Sequence, residues 1–130
     1  MYLRLATVDR DYRKCLVARP VDEGGRYDFP TILAEHELNG PLEGFLSTNL
    51  DQNMIVCGPL WLDPSMSLGR RSRMTIRLLD AYEMILKKAG VSQYLFHVQP
   101  EGHWMDTIER ALGLKPYEFS EGEFWYKREF

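Results

Sequence analysis

The stretch that most constrains the fold is residues 53–62, "NMIVCGPLWL", which is apolar almost without interruption. A β-strand of this composition has to be covered on both faces, so the run predicts a central strand of a sheet. Gly58 and Pro59 interrupt the run. Because proline donates no hydrogen bond to a neighbouring strand and glycine accommodates a bulge, we expect the strand to bend at this point.

A helix follows this strand, and a second strand follows the helix. Six apolar residues recur at helical spacing: Leu78, Leu79, Tyr82, Ile85, Leu86 and Ala89. Lys87 and Lys88 lie in the last predicted turn, and Gly90 ends the helix. The apolar segment "QYLFHV" at 93–98 then predicts a strand. A strand, helix, strand order of this length implies a right-handed parallel crossover.

The other segments carry shorter strand and helix patterns. We predict a strand at 2–8, a helix from Asp9 to about Val17, a loop at 19–30, two strands at 31–38 and 42–50 joined at Asn39-Gly40, a helix at 103–113, and a terminal hairpin that turns at 120–123. The prediction is an α/β (α+β) fold: a twisted, mostly antiparallel sheet of six to seven strands, flanked by three to four helices. Its central parallel pair is expected to separate at a bulge.

The composition narrows the class of protein. With 130 residues, 45% of them hydrophobic, the chain is expected to form a single domain over residues 1–130. Cys15 and Cys57 lie in no metal-binding or disulfide spacing, so we predict no metal site. The absence of a long apolar run or an export signal predicts no membrane partner and a cytoplasmic location. A net charge of −3 argues against nucleic acid as a partner.

The order of these elements resembles the GNAT superfamily of acetyltransferases, and the likeness covers nearly the whole chain. "ILAEHELNGPLEGFLS" is similar to that family's hairpin, "GPLWLDP" to its fourth strand, and "IERALGLKPYEF" to its helix-to-strand junction. A looser likeness connects the basic lead-in of the long helix with GNAT-like internal virion proteins of short-tailed bacteriophages. The resemblance implies acetyl-CoA as the cofactor and an amine as the acceptor.

In that family, the loop before the long helix carries Arg or Gln, two spacers, Gly, one spacer, and Gly or Ala. Aligned on the Leu78-Leu79 pair, this chain has Arg70 at the first position, but Arg73 and Thr75 replace the small residues. Glycine allows bare N–H groups at a helix N-terminus to approach a pyrophosphate closely. Arginine side chains bind phosphate differently, through bidentate hydrogen bonds. The arginines therefore either replace the glycines or form a solvated basic turn.

The cofactor-binding residues that follow from this alignment lie in two segments. On the bent strand we expect the pantetheine arm to run past Leu60, Trp61 and Leu62. Around the helix start, the altered pyrophosphate loop comprises Arg70, Arg71, Ser72, Arg73, Met74 and Thr75.

Four residues are candidates for acid–base catalysis. His97 lies on the predicted strand beside the cleft and is the first choice for the base, ahead of Glu35 and Glu37 on the hairpin. A buried, satisfied histidine and solvent-facing glutamates are the structural alternatives. The family's asparagine and tyrosine positions in the last helix hold Gly102 and Glu109 here. Tyr126 is therefore the substitute candidate for the general acid.

Two functions from different classes fit these observations. The first is an acetyl-CoA (acyl-CoA)-dependent N-acetyltransferase, acting on a small amine or a protein amino group. The second is a catalytically inactive, GNAT-like phage protein that binds a virion component or a host protein, located in the host cytoplasm or the virion. A weaker third option is a nucleic-acid contact through Arg70, Arg71, Arg73 and Arg77, which the net acidity opposes.

Overall fold

A computed structural model describes residues 1–21, 25–100 and 104–130. Its elements, in chain order, are β1 Tyr2–Leu5, α1 Asp9–Ala18, β2 Asp28–Glu35, β3 Leu42–Asp51, β4 Met54–Leu62, α2 Leu68–Lys88, β5 Gln93–Val98, α3 Trp104–Leu112, β6 Glu118–Ser120 and β7 Glu123–Glu129. The strands form one sheet in the order β1-β2-β3-β4-β5-β7-β6. Among the strands of the described residues, β4 and β5 pair in parallel, and the other neighbours are antiparallel. The predicted fold class is confirmed.

Two elements begin earlier than predicted. Strand β2 starts at Asp28, inside the segment predicted as a loop, and helix α2 starts at Leu68. Ser67 is the N-cap of α2, where its side-chain oxygen accepts a hydrogen bond from the N–H of Arg70 at 3.3 Å. The arginine-rich segment is therefore the first part of the helix itself. The prediction of a loop over this segment was wrong, because Ser67 caps the helix three residues before Arg70.

The helices cover the two faces of the sheet unequally. On one face, α2 and α3 enclose the larger core, which includes Leu46, Cys57, Phe96, Leu78 and Ile108. On the other face, α1 covers a smaller core around Cys15, Tyr27, Leu33 and Phe45. Because successive side chains of a strand point to opposite faces, the central strands β2, β3 and β4 contribute to both cores.

A buried carboxylate fastens α1 to the sheet. Glu35 is fully buried, and it accepts hydrogen bonds from Arg4 Nε at 2.5 Å and from Lys14 Nζ. Arg4 also bonds Asp11 Oδ1 at 2.7 Å. Burial disfavours the charged form of Glu35, but these hydrogen bonds from Arg4 and Lys14 lower its pKa overall. The prediction that Glu35 lies on a solvent face was wrong, because α1 packs over the face that Glu35 shares with Leu33.

Within the described ranges, no helix is long and apolar enough to cross a membrane. Gly102 and His103, which the sequence placed at the start of the last helix, lie outside the described residues.

Candidate active site

The parallel strands β4 and β5 separate soon after they meet. Val56 and Leu95 are their one register pair in the described part of the chain. On the other side of β4, the pairing with β3 passes from Thr48↔Cys57 to Leu46↔Leu60 with a shift, so Gly58 and Pro59 together oppose a single residue. Gly58 has φ +136°, a conformation that favours glycine. The bulge expected at Gly58-Pro59 is present, and it bends β4 away from β5.

This separation opens a cleft of about 620 Å³. A volume of this size is within the range of small-molecule sites in proteins. Residues of β3, β4, α2, β5, α3 and β7 line the cleft, together with Arg19 at the end of α1. The cleft therefore passes between the strands and reaches both faces of the sheet.

The two ends of the cleft differ in polarity. On the side of α2 and α3, the lining side chains are mainly apolar and include Leu46, Leu60, Leu79, Phe96, Val98, Ile108 and Leu112. On the side of α1 the lining includes Arg19, Asn49, His97 and Glu123. An elongated ligand with an apolar arm would lie on the first side, and its reactive end would meet polar groups on the second.

Of the three β4 residues predicted to line a cofactor path, the structure brings only Leu60 to the cleft. Trp61 points to the opposite face, where its ring stacks on Phe45 with centroids 6.1 Å apart. Leu62 returns to the first face and packs against the larger core, next to Gly44. The alternation of side chains along a strand accounts for this separation.

The arginines at the start of α2 have different environments. Arg70 Nη2 bonds Glu43 Oε2 at 2.8 Å, and Arg71 Nη2 donates to the carbonyl oxygen of Pro64 at 2.5 Å. The Nε of Arg71 is buried and has no hydrogen-bond partner within the described chain. Arg73 is exposed in the second turn. Only Arg70 and Arg71 thus belong to the first turn, which contains no acidic residue.

Gly69 is the second residue of this helix, and the alignment on Leu78-Leu79 leaves it outside the predicted loop pattern. The backbone N–H groups of Arg70 and Arg71 both donate to oxygens of Ser67. The N–H groups of Leu68 and Gly69 lie before them, at the open end of the helix. A Cβ added to Gly69 would meet only Arg73 Nη1, at 3.5 Å. A glycine with free space around it is therefore present where an anion could approach bare N–H groups.

The other three residues of the predicted pyrophosphate loop, Ser72, Met74 and Thr75, also lie within helix α2. Met74 is buried in the larger core. Thr75 is also buried and lines the cleft, with its hydroxyl donating to the carbonyl of Arg71 at 2.8 Å. Ser72 is half-buried. Thr75 can thus contact a ligand through its methyl group, whereas Met74 is directed into the protein.

His97 and Glu123 form a pair in the wall of the cleft. His97 Nδ1 contacts Glu123 Oε2, and the imidazole packs on Trp125 with ring centroids 4.8 Å apart. The His97 side chain is 40% exposed, so the alternative of a buried core histidine is wrong. Because Glu123 engages Nδ1, Nε2 is the ring nitrogen that remains to exchange a proton with a ligand.

Glu123 is the clearest residue that sequence reasoning missed. In β7, Trp125 pairs with His97, and Glu123 precedes Trp125 by two residues, so both side chains lie on one face. The signal was present in the alternation of the segment "EGEFWY", but using it required the register between β5 and β7. Arg19 and Asn49 were missed for the same reason, since they reach the cleft from distant elements.

Tyr126 lies outside the residues that line the cleft. It is fully buried, its ring stacks on Phe96 with centroids 4.9 Å apart, and its hydroxyl is 3.4 Å from Glu109 Oε1. Burial raises the pKa of Tyr126, and the neighbouring Glu109 raises it further. The hydroxyl is therefore held in its protonated form next to the α3 position where the resemblance implies a tyrosine.

Glu35, the second candidate base, is not among the cleft-lining residues, and Arg4 and Lys14 occupy its carboxylate. Cys57 does line the cleft, but burial raises the pKa of its thiol, so it is not a reactive thiolate at neutral pH. In the part of the chain that the structure describes, no group of three or more His, Cys, Asp or Glu side chains could hold a metal ion.

Comparison of the sequence with known proteins finds no matching family model and no matching curated protein. Solved structures do match. A PaiA N-acetyltransferase from Thermoplasma acidophilum, solved in complex with coenzyme A, has a TM-score of 0.63 and 19% identity. The match covers 77% of this chain and 60% of that chain. This chain is thus similar to part of that acetyltransferase.

Two further similar structures match over almost their full length. The ribosomal-protein-S18-alanine N-acetyltransferase from Escherichia coli has a TM-score of 0.66 at 12% identity, with 98% of this chain and 94% of that chain covered. The ribosomal-protein-alanine N-acetyltransferase from Brucella melitensis has a TM-score of 0.64 at 12% identity, with 100% of both chains covered. The chain therefore has the fold of the GNAT acetyltransferases.

Proposed function

We propose that this protein is an acetyl-CoA (acyl-CoA)-dependent N-acetyltransferase that acts on an amine. The observation that carries the proposal is the cleft between β4 and β5, which places the His97–Glu123 pair at the polar end of an apolar passage. The similarity to acetyltransferase structures, one of them a coenzyme A complex, supports it.

The residues present fit such a cofactor. Leu60, Leu79 and Leu112 form an apolar wall for a pantetheine arm. Beyond Val56, the edge of β4 that faces β5 has no register partner within the described residues, so it can pair with the amide groups of that arm. At the start of α2, the N–H groups of Leu68 and Gly69 and the guanidinium of Arg70 would hold the pyrophosphate.

The protein's contribution to the reaction is positioning and proton transfer. The bound thioester supplies an electrophilic carbonyl carbon. His97 Nε2 accepts a proton from the acceptor ammonium, and Glu123 holds the ring through Nδ1 and stabilises the resulting imidazolium. The departing thiolate needs a proton, and two donors are available. One is Tyr126, whose hydroxyl lies beneath α3 next to Glu109, and the other is solvent at the open cleft.

A second candidate function is a binding protein that performs no acetyl transfer, such as the phage protein suggested by the looser likeness. One observation favours it: Glu109 stands where the resemblance implies the catalytic tyrosine. Two aromatic side chains at the edge of the sheet are also more than half exposed. Phe119 lies on the edge strand β6 and Tyr117 directly precedes this strand, so both would be available to a partner. This candidate becomes the better explanation if coenzyme A binds and no amine is acetylated.

Thermal unfolding with increasing acetyl-CoA, together with a thiol-release assay on an amine panel, tests the proposal. A ligand at about 100 times its Kd adds about 2.7 kcal/mol of stability, which is a clear rise in melting temperature for a small domain. Leu60→Trp should fill the cleft and abolish the rise. The matched variant Leu50→Trp, at an exposed β3 residue outside the cleft lining, should retain it. The absence of any shift at millimolar acetyl-CoA would refute the proposal.

A further inference from the structure

The cleft lining contains one positive and one negative side chain, and this pair of charges would favour some acceptor molecules over others. Of the described residues that line it, Arg19 is the one cation and Glu123 is the one carboxylate. The remaining polar lining groups, including Asn49 and His97, carry no permanent charge. A ligand complementary to this lining would carry one positive and one negative group.

Both charges lie at the same end of the cleft. His97 and Glu123 alternate along their strands with Phe96 and Phe124, which pack in the core under α2 and α3, so the pair lies on the α1 face. Arg19 reaches that face directly, because it is the C-cap residue of α1. The acceptor side of the cleft therefore presents a cation and an anion to one molecule.

The position of Arg19 is well defined although its side chain is exposed. Its backbone N–H bonds Cys15 O at 2.8 Å, and its carbonyl accepts a hydrogen bond from Tyr27 Oη at 2.5 Å. No ion pair of its guanidinium occurs among the described residues. The C-terminal end of a helix also favours a cation. The main chain thus anchors a guanidinium at the cleft, where it can bind a carboxylate in a bidentate way.

We propose that the acceptor is an amine that also carries a carboxylate, such as a free amino acid, and that Arg19 binds this carboxylate. The proposal rests on the acetyltransferase function given above. An acceptor amine arrives as an ammonium group, which Glu123 attracts and Arg19 repels. If the same molecule carries a carboxylate, Arg19 attracts that group, and this attraction offsets its repulsion of the ammonium. A simple amine or a diamine has no negative group to provide this attraction.

Acetyl transfer to such an acceptor forms one bond and breaks another. The amine nitrogen forms a bond to the carbonyl carbon of the thioester, and the bond between that carbon and sulfur breaks. The ammonium loses one proton to His97 Nε2 before the bond forms, and the nitrogen loses a second proton to solvent afterwards. The departing thiolate takes a proton from solvent or from a neighbouring acid. Arg19 takes part in none of these bonds. It is a specificity residue that holds the acceptor's carboxylate while the amine faces His97.

The experiment compares acceptors that differ only in the negative charge. Glycine and glycinamide, and phenylalanine and phenylalaninamide, are assayed by thiol release from acetyl-CoA. We expect the kcat/KM of the amino acid to exceed that of its amide by about threefold to fivefold, the size of an ion pair with an exposed guanidinium. Arg19→Ala should reduce this ratio to near one by lowering the value for the amino acid alone. Arg19→Glu should invert the preference toward putrescine.

Arg13→Ala is the matched control, because Arg13 is an exposed residue of the same helix outside the cleft lining, and it should leave the ratio unchanged. Thermal shift by each acceptor in the presence of coenzyme A gives a readout independent of turnover and should show the same dependence on Arg19. Equal use of acids and amides, or a ratio that Arg19→Ala does not change, would overturn the inference while acetyl transfer stands. Failure of acetyl-CoA to bind would overturn the acetyltransferase proposal, and this inference with it.

Discussion

Arg70 Nη2 lies 2.8 Å from Glu43 Oε2, so the first turn of α2 is tied to the third strand of the sheet. The other oxygen of Glu43 contacts His36 Nδ1 at 3.1 Å. Glu43 is nearly buried, whereas the Arg70 side chain is about half exposed at 48%. The carboxylate thus partly neutralises a guanidinium that would otherwise be fully available to an anion at this end of the helix.

We therefore predict that Glu43→Gln strengthens the binding of coenzyme A, because Arg70 loses its competing negative partner. The expected effect is about a threefold decrease in Kd, the size of a partly exposed ion pair. Isothermal titration at low and high salt measures it, and the gain should shrink at high salt. Asp80→Asn, on the exposed face of the same helix, is the control for loss of charge alone. Weaker binding in Glu43→Gln would mean instead that Glu43 orients Arg70 for the phosphates.

Gly69→Ala should separate stability from cofactor affinity. Alanine favours a helix over glycine, and the added Cβ meets only Arg73 Nη1 at 3.5 Å, so we expect about 0.5 kcal/mol of added stability. The same methyl group would keep a pyrophosphate from the N–H groups of Leu68 and Gly69, so we expect Kd for coenzyme A to rise about tenfold. Urea denaturation and titration give the two values. Asp80→Ala should raise stability alone; an unchanged affinity in Gly69→Ala would place the phosphates elsewhere.

Removal of the His97–Glu123 pair should affect turnover and spare cofactor binding. His97→Gln is expected to lower kcat/KM by about 10²- to 10⁴-fold, the range for loss of a general base. Glu123→Gln should have a smaller effect, about tenfold, because the ring keeps a hydrogen-bond partner but the imidazolium loses its charge partner. Steady-state thiol release is the measurement. Glu118→Gln, an exposed neighbour on β6, is the control, and equal activity of all three variants would exclude this pair from catalysis.

Tyr126→Phe tests the general acid. The hydroxyl is buried next to Glu109 and its pKa is raised, so it gives up its proton less readily than an ordinary tyrosine. We expect kcat/KM to stay within about threefold of the original value and the free energy of unfolding to fall by about 1 kcal/mol, the cost of one hydrogen bond. A loss of about 100-fold or more in kcat/KM, with coenzyme A still bound, would instead identify Tyr126 as the acid.

The buried carboxylate Glu35 predicts a loss of stability in acid. The hydrogen bond from Arg4 lowers the pKa of Asp11 from 3.8 to about 2, and the pKa of Glu35 is also lowered. A group whose folded-state pKa is lowered stabilises the fold above its ordinary pKa, and this stability disappears as pH falls toward the folded value. Urea denaturation should therefore show constant stability down to about pH 4 to 5 and a decline from there toward pH 2.

Glu35→Gln should cost about 3 kcal/mol at neutral pH, because Arg4 and Lys14 lose the carboxylate between them. The decline in acid should also become shallower, since one of the responsible groups is gone. Glu37→Gln, two residues further along and exposed, should change the free energy of unfolding by less than about 0.5 kcal/mol. A neutral Glu35→Gln variant would show that the charge cluster contributes nothing to the fold.

Some parts of the site could be predicted because they depend on local chemistry. The bend at Gly58-Pro59 follows from the lack of an N–H in proline and the conformational range of glycine, and the structure shows it as a bulge with φ +136° at Gly58. The apolar run through β4 predicted its central position correctly. The helix start was missed by a few residues, although Ser67 offered a capping signal.

Other parts could not be predicted, because they depend on which surfaces meet. Glu35 follows Leu33 on the same face of β2, and only the packing of α1 over that face makes its carboxylate a buried anchor. His97 sits in an apolar run, yet its face of β5 remains open beside the cleft.

The sequence alone determined the elements, their order and the bent central strand, since hydrophobic periodicity and the backbone limits of glycine and proline act over a few residues. The tertiary structure decided which side chains share the cleft. Arg19, His97 and Glu123 are far apart along the chain, and only strand register and helix packing bring them to one opening. Strand register and helix packing depend on the burial of surfaces contributed by the whole chain, and a local sequence pattern does not predict them.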